Sequence, residues 1–117
     1  MIKQLILKTS QYRYDGADRF DITRKNGNYN FAPSWNLIMG YKSKLIDEKK
    51  YRIEYKKQMS QSFFNNKREW EELLNKGEVT LVCFCKKGEF CHRLILVEIL
   101  QMLGKRFNIE VIYNGEI

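Results

Sequence analysis

Cys83, Cys85, Cys91, His92 and Arg93 lie in one short stretch, with Lys86, Lys87 and Glu89 between them. The stretch holds all three cysteines and the only histidine of the chain. Such residues can do four kinds of chemistry. Thiols with an imidazole can bind zinc. A thiol at a helix start beside cations favours its thiolate, a nucleophile. Histidine with a carboxylate, here Glu89 or Asp21, can move protons. Arg93, Lys86 and Lys87 can hold an anion.

Spacing weighs these options. Cys83 and Cys85 are two apart on an apolar run, so on a strand they share a face. With Cys91-His92 they form a CxC…CH set competent for zinc. Zinc ribbons and knuckles, however, usually use pairs two to four residues apart, and adjacent ligands on a helix diverge by about a third of a turn. No metal and no other cofactor is therefore expected. The Cys-dependent phosphatase pattern needs a cysteine six positions before its arginine. That position before Arg93 is Lys87, so the pattern is absent. Each cysteine also has a plain reading as a small buried hydrophobe.

The elements that must position these groups are legible. Val79 to Cys85 is a nearly continuous apolar run, which fits a strand covered on both faces. Lys86-Lys87-Gly88 breaks it. From Cys91 the period changes, and Leu94, Ile95, Val97, Leu100 and Leu103 give the stripe of a well-buried helix. Gly104 sits where a C-cap glycine belongs, with Lys105 and Arg106 at the negative dipole end. Phe107 to Tyr113 alternates as a further strand, and Asn114 to Ile117 is expected to fray. Strand, helix and strand form a right-handed βαβ unit on a parallel sheet. Ligands bind beyond the carboxyl ends of such strands. The helix start adds unpaired N–H groups. Anion binding by Arg93, Lys86, Lys87 and these amides requires nothing further.

Earlier segments supply the rest. Met1 to Thr9 reads as a first strand, Ser10 to Asp18 as a loop, and Phe20 to Thr23 as a short parallel strand with Arg24 just past its end. Lys25 to Asn30 is rich in turn formers. Ser34, after Pro33, can cap a short helix, Trp35 to Met39. Asp47 to Asn65 is the long helix. Its Tyr51, Tyr55, Met59 and Phe63 make a core stripe, and Lys49, Lys50, Arg52, Lys56 and Lys57 make a basic face. Lys67 to Asn75 is a short amphipathic helix carrying Trp70. The expected fold is α/β: a small, mostly parallel sheet of about four strands, helices on both faces and a C-terminal βαβ unit.

Composition sets bounds. The chain has 117 residues and reads as one domain over residues 1–117. A domain this long buries about two-thirds of its unfolded surface, enough for a core without disulfides. No apolar run approaches transmembrane length, and Lys3 and Lys8 interrupt the first, so neither membrane insertion nor a signal peptide is expected. An odd cysteine count points to a reducing, cytoplasmic setting. The net charge of +7 permits polyanion binding, although the lysines are spread along the chain.

The pattern Cys85, five residues, Cys91-His92-Arg93, between a hydrophobic strand and an apolar helix, resembles domain-of-unknown-function family 488. The Phe31-Ala32-Pro33-Ser34 segment, the Tyr51/Tyr55/Met59 helix and the Trp70 helix resemble a small phage and bacterial branch of that family. The resemblance spans roughly residues 19 to 103. It implies a polar pocket where Arg24 meets Cys85, Cys91, His92 and Arg93, and it leans toward nucleotides, nucleosides or bases as ligands. Family members often carry this arginine in an Asp-x-Arg setting; here Asp21-Ile22-Thr23-Arg24 is one residue longer.

The combined expectation is a pocket for a nucleotide-like or other phosphorylated small molecule, in a phage or bacterial defence-related protein. The protein would be a binder, or a hydrolase or glycosidase if it turns its ligand over. Arg24, Lys86, Lys87, Arg93, Cys85 and Ser34 would contact the ligand, and Tyr29, Phe31, Trp35 or Tyr55 would stack on a base. His92, Cys91 and Glu89 would supply the chemistry. Two alternatives stand beside it. One is a nucleic-acid binder using the basic helix 47–65; the other is a zinc-stabilised interaction module. The oligomeric state is not readable from these features.

Overall fold

A computed structural model of the chain describes residues 3–84 and 91–117. Strand β1 spans Lys3–Gln11, and strand β2 spans Arg19–Asp21. A 3-10 turn, Tyr29–Phe31, leads into helix α1, Trp35–Lys42. Helices α2, Glu48–Asn65, and α3, Lys67–Leu74, follow. Strand β3, Glu78–Cys83, precedes helix α4, His92–Arg106, and strand β4, Ile109–Glu116. The strands form one sheet in the order β2-β3-β1-β4. Every neighbouring pair is parallel, with Leu7 opposite Val79 and Leu5 opposite Val111. The four-stranded parallel α/β sheet and the closing βαβ unit are those the residue pattern predicts.

Local chemistry explains the elements. Leu5, Leu7 and Thr9 alternate into the interior of β1, whereas Val79 to Cys83 of β3 are all buried. A strand between two neighbours and two covered faces has no polar side to show. Ser34 caps α1 by accepting the Leu37 N–H, and Asp47 caps α2 by accepting that of Lys50. Such caps satisfy backbone donors that the first helical turn leaves without partners.

Leu5, Leu7, Val79, Leu81 and Cys83 share one core with Tyr51, Tyr55, Trp70, Ile95 and Leu100 from the helices. Helix residues therefore cover the face of the sheet that these strand residues present. The reason is topological. The steps β2 to β3 and β3 to β4 run the same way along the sheet, and right-handed crossovers in one direction fall on one side. The step β1 to β2 runs the opposite way through residues 12–18. On that side Asp18 accepts from Thr80 Oγ1 and Tyr14 OH and pairs with Lys8 at 3.2 Å. Burial works against the Asp18 charge, but these three donors outweigh it and hold its pKa at about 2.

Two end-of-element readings change. β4 runs to Glu116 instead of fraying from Asn114. Gly104 lies inside α4 and is not its cap; the helix ends at Arg106, and Asn108 takes a positive φ. Gly104 is there for close approach. A Cβ at this position would sit 2.5 Å from the Ile109 carbonyl oxygen and 2.7 Å from Val111 Cγ2. Alanine for glycine within a helix ordinarily gains about 1 kcal/mol. Gly104→Ala is expected instead to cost about 1–3 kcal/mol, because the clash is with strand backbone. Urea unfolding checks the sign; a higher midpoint would mean that α4 lifts off β4 without cost.

Candidate functional site

The carboxyl ends of β2 and β3 meet the start of α4 at one place. Thr23 and Arg24 follow β2, Cys83 and Phe84 close β3, and Cys91 and His92 open α4. These residues line a cavity of about 440 Å³. Its other wall comes from Pro33, Trp35, Ile38, Tyr41 and Lys42 on and before α1, with Tyr51 of α2 and Lys25. The cavity thus lies where an open parallel sheet binds ligands. Its floor carries Cys and His, its walls are largely aromatic and aliphatic, and Arg24, Lys25 and Lys42 supply positive charge.

The floor is tightly connected. Cys91 is the N-cap of α4 in extended conformation, φ −157° and ψ 153°. Its Sγ lies 2.7 Å from Cys83 Sγ and 3.6 Å from His92 Nδ1. His92 Nε2 lies 2.9 Å from the Ile22 carbonyl oxygen. A carbonyl only accepts, so Nε2 carries the proton and Nδ1 presents its lone pair to Cys91. Burial lowers the His92 pKa, which favours this neutral form. Asp21, a candidate carboxylate partner for His92, instead accepts the Thr23 N–H.

Arg93 does not face the cavity. It is fully buried, and its Nε and Nη2 donate to the two Glu116 oxygens at 3.1 and 2.6 Å. Its Nη1 donates to Cys83 Sγ at 2.8 Å. Burial opposes the guanidinium charge, yet the Glu116 carboxylate and the two sulfurs more than offset this and raise the Arg93 pKa. The arginine therefore supports the floor from behind.

Three further residues expected at the ligand are engaged within the fold. Tyr55 is fully buried, and its hydroxyl donates to the Phe31 carbonyl at 2.6 Å. Phe31 is equally buried, against Trp70 and Phe20. Ser34 is occupied by its cap and by Gln58, whose Nε2 donates to its Oγ at 2.9 Å. Of the expected stacking residues, Trp35 lines the cavity, and Tyr29 lies under Arg24, whose guanidinium carbon is 5.3 Å from the ring centroid. Cys85, Lys86, Lys87 and Glu89 lie outside the described residues.

Lys42, Tyr41 and Glu116 escaped the sequence reading. Lys42 and Tyr41 stand in the last turn of a helix read as ending at Met39; following that helix one turn further would have found them. Glu116 had no local signal at all.

Among known protein families, residues 4–104 match the profile described as "DUF488-N3a: Active DUF488-N3 subclade". No curated protein and no solved structure gives a match.

Proposed function

The chain belongs to the DUF488 family, and from that premise we propose that it binds a nucleotide-like or other phosphorylated small molecule in this cavity. The observation that carries the reading is the lining. Arg24, Lys25 and Lys42 line it together with the aromatic side chains Trp35, Tyr41 and Phe84. A base or nucleoside needs an apolar, aromatic face, and a phosphate needs cations within reach. His92, neutral with Nδ1 as acceptor, and the Cys91 thiol at the floor suit proton transfer in hydrolysis or glycosidic cleavage. The description of the subclade as active supports turnover over binding alone. The reading extends to a reducing, cytoplasmic setting and to phage or bacterial defence, where removal of a nucleotide signal would be useful.

On the basic face of α2 part of the charge is offset. Glu54 pairs with Lys50 and Lys57, and Arg52 pairs with Glu98. No helix among the described residues is long and apolar enough to cross a membrane.

Calorimetry with nucleosides, nucleoside monophosphates and nucleoside diphosphates tests the proposal. Phosphorylated members are expected to bind more tightly than their nucleosides. Arg24→Ala and Lys42→Ala should each weaken binding about 10- to 100-fold, the worth of one charged hydrogen bond. Both side chains are at least partly exposed, so Tm should barely move. No binding by any member, or parental affinity in both variants, would sink the reading.

A further inference from the structure

We propose that Cys83, Cys91 and His92 hold a zinc ion at the floor of the cavity. Their donor atoms lie within 4.8 Å of one another, and all three residues are buried. Two sulfurs and an imidazole nitrogen are the donor set that suits zinc.

The spacing objection rests on adjacent residues diverging along a helix. It does not apply, because Cys91 is extended and outside the helical turn. Its Sγ and His92 Nδ1 converge at 3.6 Å. Zinc bond lengths of about 2.3 Å to sulfur and 2.0–2.1 Å to nitrogen set tetrahedral edges of about 3.5 Å between S and N and about 3.8 Å between two sulfurs. Of the two sulfur–nitrogen edges, Cys91 to His92 is already met and Cys83 to His92 lies within 4.8 Å, so it needs to close by at most about 1.3 Å. Cys83 and Cys91, with sulfurs 2.7 Å apart, need to open by about 1 Å to meet the sulfur–sulfur edge, within reach of small side-chain rotations.

The surroundings are those of a ligating histidine. His92 donates Nε2–H to the Ile22 carbonyl, which fixes the ring and leaves Nδ1 to bind. Arg93 Nη1 donates to Cys83 Sγ and so favours the thiolate a metal requires. The charges close locally: two thiolates offset the dication, and Glu116 offsets Arg93. Binding releases the two thiol protons. Cys83, Cys91 and His92 all line the cavity and are the metal-ligand set found among the described residues. With water as a further ligand, such an ion would lower that water's pKa beside the cavity's guest, and the water would take the proton-transfer part otherwise given to His92 and Cys91. Zinc binding is measured with no nucleotide present, so this proposal and the phosphorylated-ligand reading fail independently.

The full chain, reduced and stripped of metal, is titrated with Zn²⁺ against a chromophoric competitor and then with Co²⁺. One equivalent of zinc should bind, and the cobalt form should show a thiolate-to-metal charge-transfer band. Cys83→Ser, Cys91→Ser and His92→Asn should each weaken zinc binding by more than about 100-fold, beyond the range for an outer-shell change. Failure of the reduced wild-type chain to take up either ion overturns the proposal. So does parental zinc affinity in all three variants. So does a protein isolated two hydrogen atoms lighter, with Cys83 and Cys91 joined by oxidation, that stays metal-free once reduced. The wild-type titration and cobalt spectrum decide the matter even where a variant fails to fold.

Discussion

Arg93→Ala is expected to remove about 3–5 kcal/mol of folding stability, a large share of the ~5–15 kcal/mol a domain commonly has. Truncation would leave the Glu116 carboxylate, only 14% exposed, without the Arg93 cation and would remove the hydrogen bond from Arg93 to Cys83. Burial raises the Glu116 pKa, but the hydrogen bonds from Arg93 and Thr9 and the guanidinium charge together outweigh it and lower the pKa. Without Arg93, that carboxylate must turn to solvent or take up a proton. Arg93→Met with Glu116→Met should recover much of the loss, because replacing a buried pair by apolar groups is far milder than orphaning one partner. Equilibrium unfolding in urea separates the cases. An unchanged midpoint for Arg93→Ala would mean the ion pair contributes nothing.

This ion pair shows where sequence reading stops. The apolar run of β3, the stripe of α4 and the cap at Ser34 are local patterns, and the structure repeats them. Polarity alone does not tell a buried cation from a ligand-binding one. The difference lies in Glu116, far along the chain, on a segment whose glycine and asparagine suggested fraying. Gly104 failed for a related reason. Its place near a helix end implied a cap, whereas its lack of a Cβ serves a strand that comes later in sequence. Tyr55 was placed in the core by its stripe, but its hydroxyl partner, the Phe31 carbonyl, comes from another element. The cavity itself was half legible. The strand-loop-helix edge gave Cys91 and His92, and the end of the short strand gave Arg24. The α1 wall depended on how that helix packs, which no motif records.

Trp70→Ala is expected to cost about 3–5 kcal/mol and to disturb the α1 wall of the cavity from a distance. Trp70 is fully buried, with its ring centroid 4.7 Å from that of Phe31 and 6.1 Å from that of Phe63. Its indole Nε1 donates to Ser62 Oγ at 3.1 Å, and that hydroxyl donates to the Asn30 carbonyl at 2.5 Å. Glu69, on the same helix, accepts from Asn30 Nδ2 at 2.6 Å. Glu69 of α3 thereby holds the Tyr29–Phe31 turn by its side chain and Ser62 of α2, bonded to Trp70, holds it by its backbone, and the chain leaves that turn directly for Pro33 and Trp35 on the cavity wall. Trp70→Phe keeps much of the packing and deletes the indole donor, so its stability should fall between wild type and Trp70→Ala. It also leaves Trp35 as the sole indole, since the chain has two tryptophans. Trp35 fluorescence then reports the cavity. A ligand held there should quench or shift it, and the same titration in Trp70→Ala, at a temperature where it is folded, should show weaker binding. A loss below about 1 kcal/mol for Trp70→Ala would place the turn under other control, because deleting a well-packed buried indole costs several times that.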